Sequence, residues 1–542
     1  MKKLKKAVAV ILAVTMIFSA FSLIPANAQE IITDKGEQKL FVFLDKLVMG
    51  LIDGITAVTI GPRLPSKNSF TYDNPCQGMS ASEYLTEPAE DAVWSVGYAN
   101  RSIQDGNELD GKHFVGGSLS LNKVATEVRD DQKVRTVALS DGRGISIFSV
   151  IDGFGITNKA VNEIRNQFME YANEKQLKIT SINVSILHQH SCVDTFGMNG
   201  NILKALFTAP IKNILGLPLD SGINEDFQKN LYAQTVDSMK EAVETMTEGK
   251  LYYGKVDIAE YIYDKRDPQV IDPYLHRLRF VPDNGSKETW IVNGSIHCVG
   301  KGAAGTCITG DYPYYMEEYV NSKNANLFYI QGAELAITTE KDNIEPDALA
   351  LQKYPGDDGY AKLVTYGYTL GRKLAGITAD DETEVAPVLN ISTKHFFTEC
   401  TNGIFKFAAK FGLLTNDIVK DGCKTLVSSE LSYCEFGKDI AVAIIPGELA
   451  PEIAFGGAMD SESEQNWYGT DWDYAPLCEL TDKSEFMVFG LTNDQIGYML
   501  TDNSWHSIFT ENEEIVSAGQ YSGATVCDNY IELMNYLGKA DK

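Results

Sequence analysis

The sequence has few histidines, few basic residues relative to acidic ones, and no long apolar run after its first 28 residues. Only 7 histidines occur among 542 residues, and none belongs to an HExxH motif, which excludes the helical zinc signature of many metalloproteases. Lysine and arginine together number 47 against 74 acidic residues, so the formal net charge is −27. Because such a surface repels phosphate backbones, nucleic acid is not expected as a partner.

The sequence also lacks CxxC pairs, internal repeats and low-complexity tracts. Its hydrophobic content of 44% and aromatic content of 10% are typical of a globular protein with a real core. Nine cysteines are an odd number, so at least one stays free unless it links two chains. Their pairing cannot be read from the sequence; they are Cys76, Cys192, Cys298, Cys307, Cys400, Cys423, Cys434, Cys478 and Cys527.

The first 28 residues have the pattern of a secretory signal peptide. Four lysines precede an apolar run over residues 7–23, and Ala26-Asn27-Ala28 offers the small-x-small site that signal peptidases cut. We therefore expect cleavage after Ala28 and a secreted or cell-surface protein, with a retained membrane anchor as the alternative. Cleavage would remove four lysines and no acid, so the mature chain would be still more acidic.

The remaining chain predicts an N-terminal extension over residues 29–90 and one large domain over residues 91–542. In the extension, the apolar stretch 40–60 is interrupted by Asp45, Lys46 and Asp53, which favours an amphipathic surface helix over a membrane span. The large domain alternates strand-like and helix-like patterns, which indicates an α/β or α+β fold with mixed sheets flanked by helices. The clearest predictions are strands over 134–139, 145–151 and 179–187, a hairpin around Asp141-Gly142, and helices over 158–175 and 233–247.

The apolar segment 202–219 contains Pro210 and Pro218 and has two interpretations. Its length and composition favour a buried helix followed by a turn. The functional interpretation is a lid or an apolar wall beside an active site.

Histidines stand where two predicted strands end. His188 and His190 follow the alternating run 182–187 and, two residues apart, would share one face. His297 follows the strand-like stretch that begins at 290 and precedes the glycine-rich loop 300–305. Converging imidazoles at strand ends are typical of metal or acid/base sites, although a hydrogen-bonded core histidine is the alternative for each of them.

Two further strand-like runs end at polar groups. The run 440–445 leads to Glu448 in a Pro-Gly-Glu turn, and the run 486–491 leads to Tyr498. Taken alone, the carboxylate could be a partner of a helix dipole and the tyrosine a packing residue.

Taken in order, these segments resemble the neutral ceramidase family, the neutral/alkaline non-lysosomal ceramidases. The resemblance covers most of the mature chain, and the order of its motifs is more specific than any single motif. Residues 183–195 resemble the family signature THTHSGP, and the other matching segments are 95–101, 134–142, 310–312, 331–334, 446–448 and 490–498.

The resemblance implies a zinc-dependent hydrolase of linear amides. It implies zinc ligands at His188, His297, Glu448 and Tyr498, with Tyr498 also stabilising the oxyanion. It places substrate contact or proton transfer on His190, and contact with the substrate carbonyl loosely on Arg266. The implied partners are ceramide or a related lipid-like N-acyl amide, with peripheral contact to a membrane surface; the oligomeric state is left open.

The chain departs from the family pattern in ways that affect the substrate. Around His188 and His190 the signature reads LHQHSCV, so the threonines and the Gly-Pro are absent. A second active-site tyrosine of the family falls near Glu513 or Glu514, and no immunoglobulin-like domain is expected after Asp528. Alternative functions are a zinc peptidase or deacylase of cell-wall material and a non-catalytic surface protein that binds lipid or glycan.

Cys192 and Cys298 lie next to proposed site residues. They are interpreted as ordinary buried thiols, and the alternatives are competition for zinc or a disulfide that ties the site together.

Overall fold

The computed structural model describes most of the chain beyond the predicted leader. It covers residues 32–58, 63–117, 123–197, 199–200, 202–217, 219, 222–301, 305–340, 344–510 and 513–539. The predicted signal peptide and its cleavage point after Ala28 lie outside the described residues. Within the described part, no helix has the length and apolar character needed to cross a bilayer.

The strands and helices of the described residues are numbered here in chain order. The strands are β1 (Trp94–Ser102), β2 (Glu127–Val128), β3 (Lys133–Ser140), β4 (Ile145–Ile151), β5 (Ile179–Ile186), β6 (Thr247–Asp257), β7 (Ile262–Asp264), β8 (Tyr274–Pro282), β9 (Glu288–Gly294), β10 (Cys307–Ile308), β11 (Ala325–Gln331), β12 (Ile337–Thr339), β13 (Thr383–Val385), β14 (Leu389–Glu399), β15 (Ile418–Asp421), β16 (Lys424–Phe436), β17 (Ile440–Ile444), β18 (Glu448–Leu449), β19 (Glu485–Phe489) and β20 (Tyr498–Met499). The helices are α1 (Lys35–Val58), α2 (Asn158–Glu174), α3 (Ile202–Leu215), α4 (Glu225–Glu244), α5 (Asp311–Asn321), α6 (Ala348–Lys353), α7 (Asp358–Ala375), α8 (Gly403–Lys410), α9 (Pro451–Phe455) and α10 (Ser522–Tyr536).

A mixed sheet forms one half of the fold. Its order is β11-β9-β8-β6-β1-β3-β4-β5, and β13 pairs with β6. β3 and β4 form the predicted hairpin, whereas β5 runs parallel to β4 and β11 runs parallel to β9. Parallel neighbours end at the same edge of a sheet, so the residues after β4 and β5 emerge side by side.

A second sheet, in the order β14-β16-β17-β19 with β15 beside β16, packs against the first. One continuous apolar core joins the two, and it includes Val137, Phe148 and Val292 from the first sheet and Ile444 and Phe489 from the second. The rings of Phe148 and Phe489 meet edge to face with centroids 6.0 Å apart. Two sheets that share a core hold their strand ends in fixed relative positions.

Helices cover the outer faces of the sheets, so the predicted architecture of mixed sheets flanked by helices is confirmed. α2 matches the helix predicted over 158–175, with Thr157 capping its first turn. The helix predicted over 233–247 is α4, which begins earlier because Asn224 accepts hydrogen bonds from two amides of its first turn. α4 packs closely on β1, since a Cβ at Gly97 would lie 1.8 Å from the Ala242 carbonyl oxygen.

The apolar segment 202–219 forms α3 and a following turn. Ala205 and Ala209 are buried, but Leu215 and Leu217 expose 63% and 51% of their surface. The prediction of a buried helix is therefore wrong at the C-terminal end of this segment. The apolar composition misled here because α3 buries the small Ala205 and Ala209, whereas Ile211 and Leu215 are exposed.

The attachment of α1 should depend on pH through Asp45. Its carboxylate accepts hydrogen bonds from Ser507 Oγ at 2.7 Å and from the Ile508 amide at 3.3 Å. Burial raises the pKa of Asp45 to about 7 from 3.8. Between these two values the folded protein binds more protons than the unfolded chain, so stability falls as pH rises, by up to about 1.4 kcal/mol per pH unit. Urea unfolding from pH 4 to 7 should show this slope, and Asp45→Asn should flatten it; an equal slope in both proteins would contradict the assignment.

Candidate active site

The edge where β5 and β9 end carries the three histidines predicted from the sequence. β5 ends at Ile186, and His188 has a φ of 51°, a conformation that few residues other than glycine adopt. His188 Nδ1 lies 2.7 Å from the Phe154 carbonyl oxygen, in the loop after β4. His297 follows β9, and its amide donates to the Ile337 carbonyl. The chain therefore presents both rings from the sheet edge.

A short pair of parallel strands places the Glu448 carboxyl group and the Tyr498 phenol beside the histidines. β18 and β20 contain only two residues each, and Glu448 is directly opposite Tyr498. The Tyr498 side chain hydrogen-bonds Glu448, and Gln495 Nε2 donates to Glu448 Oε1 at 3.0 Å. Although they are far apart in sequence, Glu448 and Tyr498 thus lie together beside the histidines.

The three predicted histidines and Glu448 converge within a few ångströms. Glu448 Oε2 lies 3.5 Å from His188 Nε2 and 3.7 Å from His297 Nε2, and His190 Nε2 lies 3.1 Å from His297 Nε2. Atoms of His188, His190 and His297 all lie within 4.8 Å of one another. The geometry groups His190 with the other imidazoles, and its predicted role beside the metal rather than on it stays a prediction.

A glycine fixes the position of His190. Gly117 has a φ of 98°, and a Cβ there would lie 2.1 Å from the His190 Cα. The Gly117 backbone also hydrogen-bonds the His190 side chain. Only glycine allows this close approach, so the orientation of the His190 ring depends on it.

The donor atoms fit a divalent cation. If His188 Nδ1 carries the proton given to Phe154, Nε2 presents a lone pair toward Glu448 Oε2, an oxygen without a hydrogen-bond partner among the described residues. Two such acceptors 3.5 Å apart repel each other unless a cation or proton lies between them. Imidazole nitrogens with one carboxylate and a phenol oxygen are a donor set suited to Zn²⁺.

Burial keeps these groups in their neutral forms. It lowers the pKa of His188 to about 4, and it lowers the pKa values of His190 and His297 well below 6.5 with help from the neighbouring imidazoles. It also raises the pKa of Glu448 to about 8. Neutral imidazole is the form that binds metals, and a cation would compensate the buried carboxylate.

A second buried carboxyl lies behind this group. Glu334 is fully buried, and neither of its oxygens has a hydrogen-bond partner among the described residues. It lies within 4.8 Å of donor atoms of His297 and Glu448. Burial and the neighbouring Glu448 raise its pKa well above 4.5, which favours its protonated form. Glu334 ends the segment 331–334, which resembles the family pattern, but no role was predicted for it from the sequence.

Arg266 is held by acidic groups rather than presented to the cavity. Its guanidinium donates to Glu514 Oε1 at 2.8 Å and to the Ser504 carbonyl at 2.6 Å, and it lies 3.4 Å from Glu513. Of these, Glu513 lines the cavity above the histidines, and so does Lys265. The predicted contact of Arg266 with a substrate carbonyl stays a prediction, and Glu513 is the charged group placed nearer to a ligand.

The histidines and Glu448 form the polar floor of a cavity of about 440 Å³. Its walls are mainly apolar, which suits an alkyl chain more than a peptide or a sugar. The large apolar side chains of the walls are Phe154, Phe196, Val299, Phe405, Leu414, Ile418, Val427, Ile496 and Val516.

The two cysteines beside the site are buried thiols. Cys192 Sγ lies 3.1 Å from the Gln189 carbonyl, and Cys298 Sγ lies 3.1 Å from Gln331 Nε2. Both are unpaired, which confirms the interpretation as ordinary buried cysteines. Burial raises both pKa values well above 9, so neither is a ready thiolate ligand.

Two known proteins of solved structure have a fold similar to that of this chain. No protein-family model and no curated protein sequence matches the chain. The neutral ceramidase from Pseudomonas aeruginosa is similar in structure, with a TM-score of 0.58 and 14% identity over 83% of this chain and 74% of that one. A ceramidase complexed with C2 is similar too, with a TM-score of 0.59 and 14% identity over 83% and 76%. The chain therefore has the fold of the neutral ceramidases and stands at a large sequence distance from them.

Proposed function

We propose that the protein is an exported, zinc-dependent amide hydrolase of the ceramidase type, which cleaves the N-acyl bond of ceramide or a related lipid. One observation carries the proposal. Three imidazoles, of which His188 and His297 are buried and His190 is half-buried, meet a buried carboxylate oxygen without a hydrogen-bond partner among the described residues, at the floor of an apolar cavity. The ceramidase fold supports the same chemistry, and the signal-peptide pattern supports export.

His188, His297 and Glu448 would hold the ion, with Tyr498 as a weaker fourth ligand. Bound zinc would supply Lewis-acid chemistry, by polarising the amide carbonyl and lowering the pKa of water. The Phe154 carbonyl orients the His188 ring, and Gln495 orients the Glu448 carboxylate. Such second partners hold ligands in place before substrate arrives.

His190 is the group placed to move a proton. Its neutral imidazole can accept the proton of the attacking water and deliver it to the departing amine nitrogen. The carbon–oxygen bond then forms, the carbon–nitrogen bond breaks, and the products are a free acid and an amine. Proton transfer of this kind contributes typically about 10²–10⁴-fold to the rate. The Tyr498 hydroxyl, whose pKa is raised by burial and the nearby carboxylates, stays protonated and can donate to the oxyanion.

The cavity favours a lipid substrate. Its apolar walls accommodate an acyl or alkyl chain, and Lys265 and the Glu513 carboxyl group, which pairs with Arg266, are charged groups at its lining that would contact a polar head group. Cys192 and Val193 replace the family's Gly-Pro beside the site. This change is why the proposal extends from ceramide to related N-acyl amides.

Metal analysis followed by a substrate panel tests the proposal. Purified untagged protein should contain about one zinc per chain, the stoichiometry of a site with three protein ligands and an open position. It should release free fatty acid from ceramide or from N-acyl amino acids of long chain. Chelation should abolish the release, and added Zn²⁺ should restore it. Protein without zinc would contradict the metal assignment, and zinc-loaded protein inert toward every N-acyl lipid would favour a binding protein instead.

A further inference from the structure

We propose that the exposed faces of α1 and α3 form a docking surface for an anionic phospholipid bilayer. This inference rests on the proposed function, because a cavity that receives lipid needs a route from the membrane. The docking surface is defined by Leu40, Phe43, Leu47 and Leu51 of α1, and by Ile211, Leu215 and Leu217 at the end of α3.

The α1 side chains of the docking surface form one stripe. Leu40, Phe43, Leu47 and Leu51 are spaced three and four residues apart, so they share a face of the helix. Each exposes between 47% and 59% of its surface. Scattered exposed leucines need no explanation, but a contiguous apolar patch of this kind marks an interaction site.

The stripe is not needed to hold α1 on the protein. The opposite face of α1 supplies Ile52 to a small core that also contains Ala205 of α3 and Phe407 of α8. Lys406 of α8 pairs with Asp53 of α1 at 2.8 Å. α1 and α3 therefore sit together on α8, and within the described part of the chain the side chains of the docking surface stay exposed.

The docking surface is continuous with the active-site cavity through α8. Phe405 of this helix lines the cavity, whereas Phe407 packs under α1. Leu414, just after α8, lines the cavity and also contacts the core beneath α1 and α3. A lipid chain that leaves a bilayer at this surface would meet apolar side chains on its way to the floor with the histidines.

The charges around the docking surface select an anionic bilayer. The chain has a formal net charge of −27, yet the exposed charged residues of α1 and of residues 202–217 are four lysines, Lys35, Lys39, Lys46 and Lys204, and one acid, Glu37. Asp45 and Asp53 of α1 are engaged with other parts of the protein. Lysines beside an apolar stripe attract anionic headgroups, and they would repel the same lysines on a second copy of the chain.

Vesicle flotation tests the inference without depending on catalysis. The full mature protein should float with phosphatidylcholine vesicles that contain phosphatidylglycerol. Phe43→Glu/Leu47→Glu should lower this partition by at least about tenfold, because two apolar side chains can no longer enter the interface. Leu109→Glu/Leu349→Glu is the matched control, since these leucines are equally exposed but lie elsewhere, and it should partition like the wild type. Lys39→Glu/Lys46→Glu should weaken binding to the anionic vesicles.

Several outcomes would overturn the inference. One is wild-type protein that does not float with the vesicles containing phosphatidylglycerol; another is a control variant that loses as much binding as Phe43→Glu/Leu47→Glu. A third is sedimentation of the wild type as a dimer that Phe43→Glu/Leu47→Glu dissociates, which would assign the surface to a second copy. Hydrolysis of a short-chain soluble N-acyl amide should be equal in all variants. Vesicle binding without any hydrolysis would leave the docking surface standing and refute the proposed activity alone.

Discussion

The His297→Ala variant is expected to lose zinc binding and at least about a thousandfold of the amide hydrolysis. His297 Nε2 lies 3.1 Å from His190 and 3.7 Å from Glu448, so its removal opens the middle of the donor set. A bound metal is worth several kcal/mol to the transition state, and each 1.4 kcal/mol is a factor of ten in rate. Metal content by mass spectrometry and initial rates on the best substrate would measure both losses.

His276→Ala is the matched control for this substitution. His276 is also buried, but it hydrogen-bonds Tyr253 at 2.7 Å and Asp272 at 3.2 Å, within the first sheet. It should lose stability while keeping zinc and turnover per folded molecule. Full zinc and full activity in His297→Ala would contradict the proposed site, because that site makes His297 one of its three main ligands.

The positions of the three histidines were the part of the site that could be predicted from the sequence, because they follow from the alternation of residues along strands. His188 and His190 follow a run whose alternation sets their common face, and the same reasoning brought in His297 at a second strand end. The fold class followed from the same alternation of strands and helices. These are local patterns, which a single sequence carries.

What the sequence could not reveal depends on long-range pairing and backbone atoms. β18 and β20 are two residues long, too short for any periodic signal, yet their pairing places Glu448 opposite Tyr498. The Phe154 carbonyl that orients His188 belongs to the backbone and has no sequence signature. The partners of Arg266 were also hidden, because Glu513 and Glu514 lie about 250 residues away in the chain.

The Arg135→Met variant is expected to lose about 3–5 kcal/mol of unfolding free energy, the cost of removing one partner of a buried ion pair. Arg135 donates to Asp152 Oδ1 at 2.7 Å and to Glu317 Oε2 at 2.6 Å, with all three side chains buried. Burial opposes the charged guanidinium, but the two carboxylates hold the pKa of Arg135 above its usual value. Burial raises the pKa of Asp152, whereas Arg135 and Lys133 outweigh burial and lower that of Glu317. Glu317 is thus the charged partner that the substitution leaves buried, with Asn100 and Lys133 as its remaining hydrogen-bond partners among the described residues.

Arg101→Met is the control, because Arg101 pairs with Glu241 at 3.2 Å on the surface and should cost less than about 1 kcal/mol. Equal losses of unfolding free energy in the two variants by urea unfolding would show that the buried ion pairs of Arg135 contribute no more than a surface pair.

The Arg135→Met substitution should also affect the candidate active site. Asp152 precedes the loop in which the Gly153 carbonyl accepts from the Gln189 amide and the Phe154 carbonyl orients His188. A loosened Asp152 would therefore shift His188, one of the proposed metal ligands, so Arg135→Met should bind zinc more weakly even where it is fully folded, whereas Arg101→Met should not.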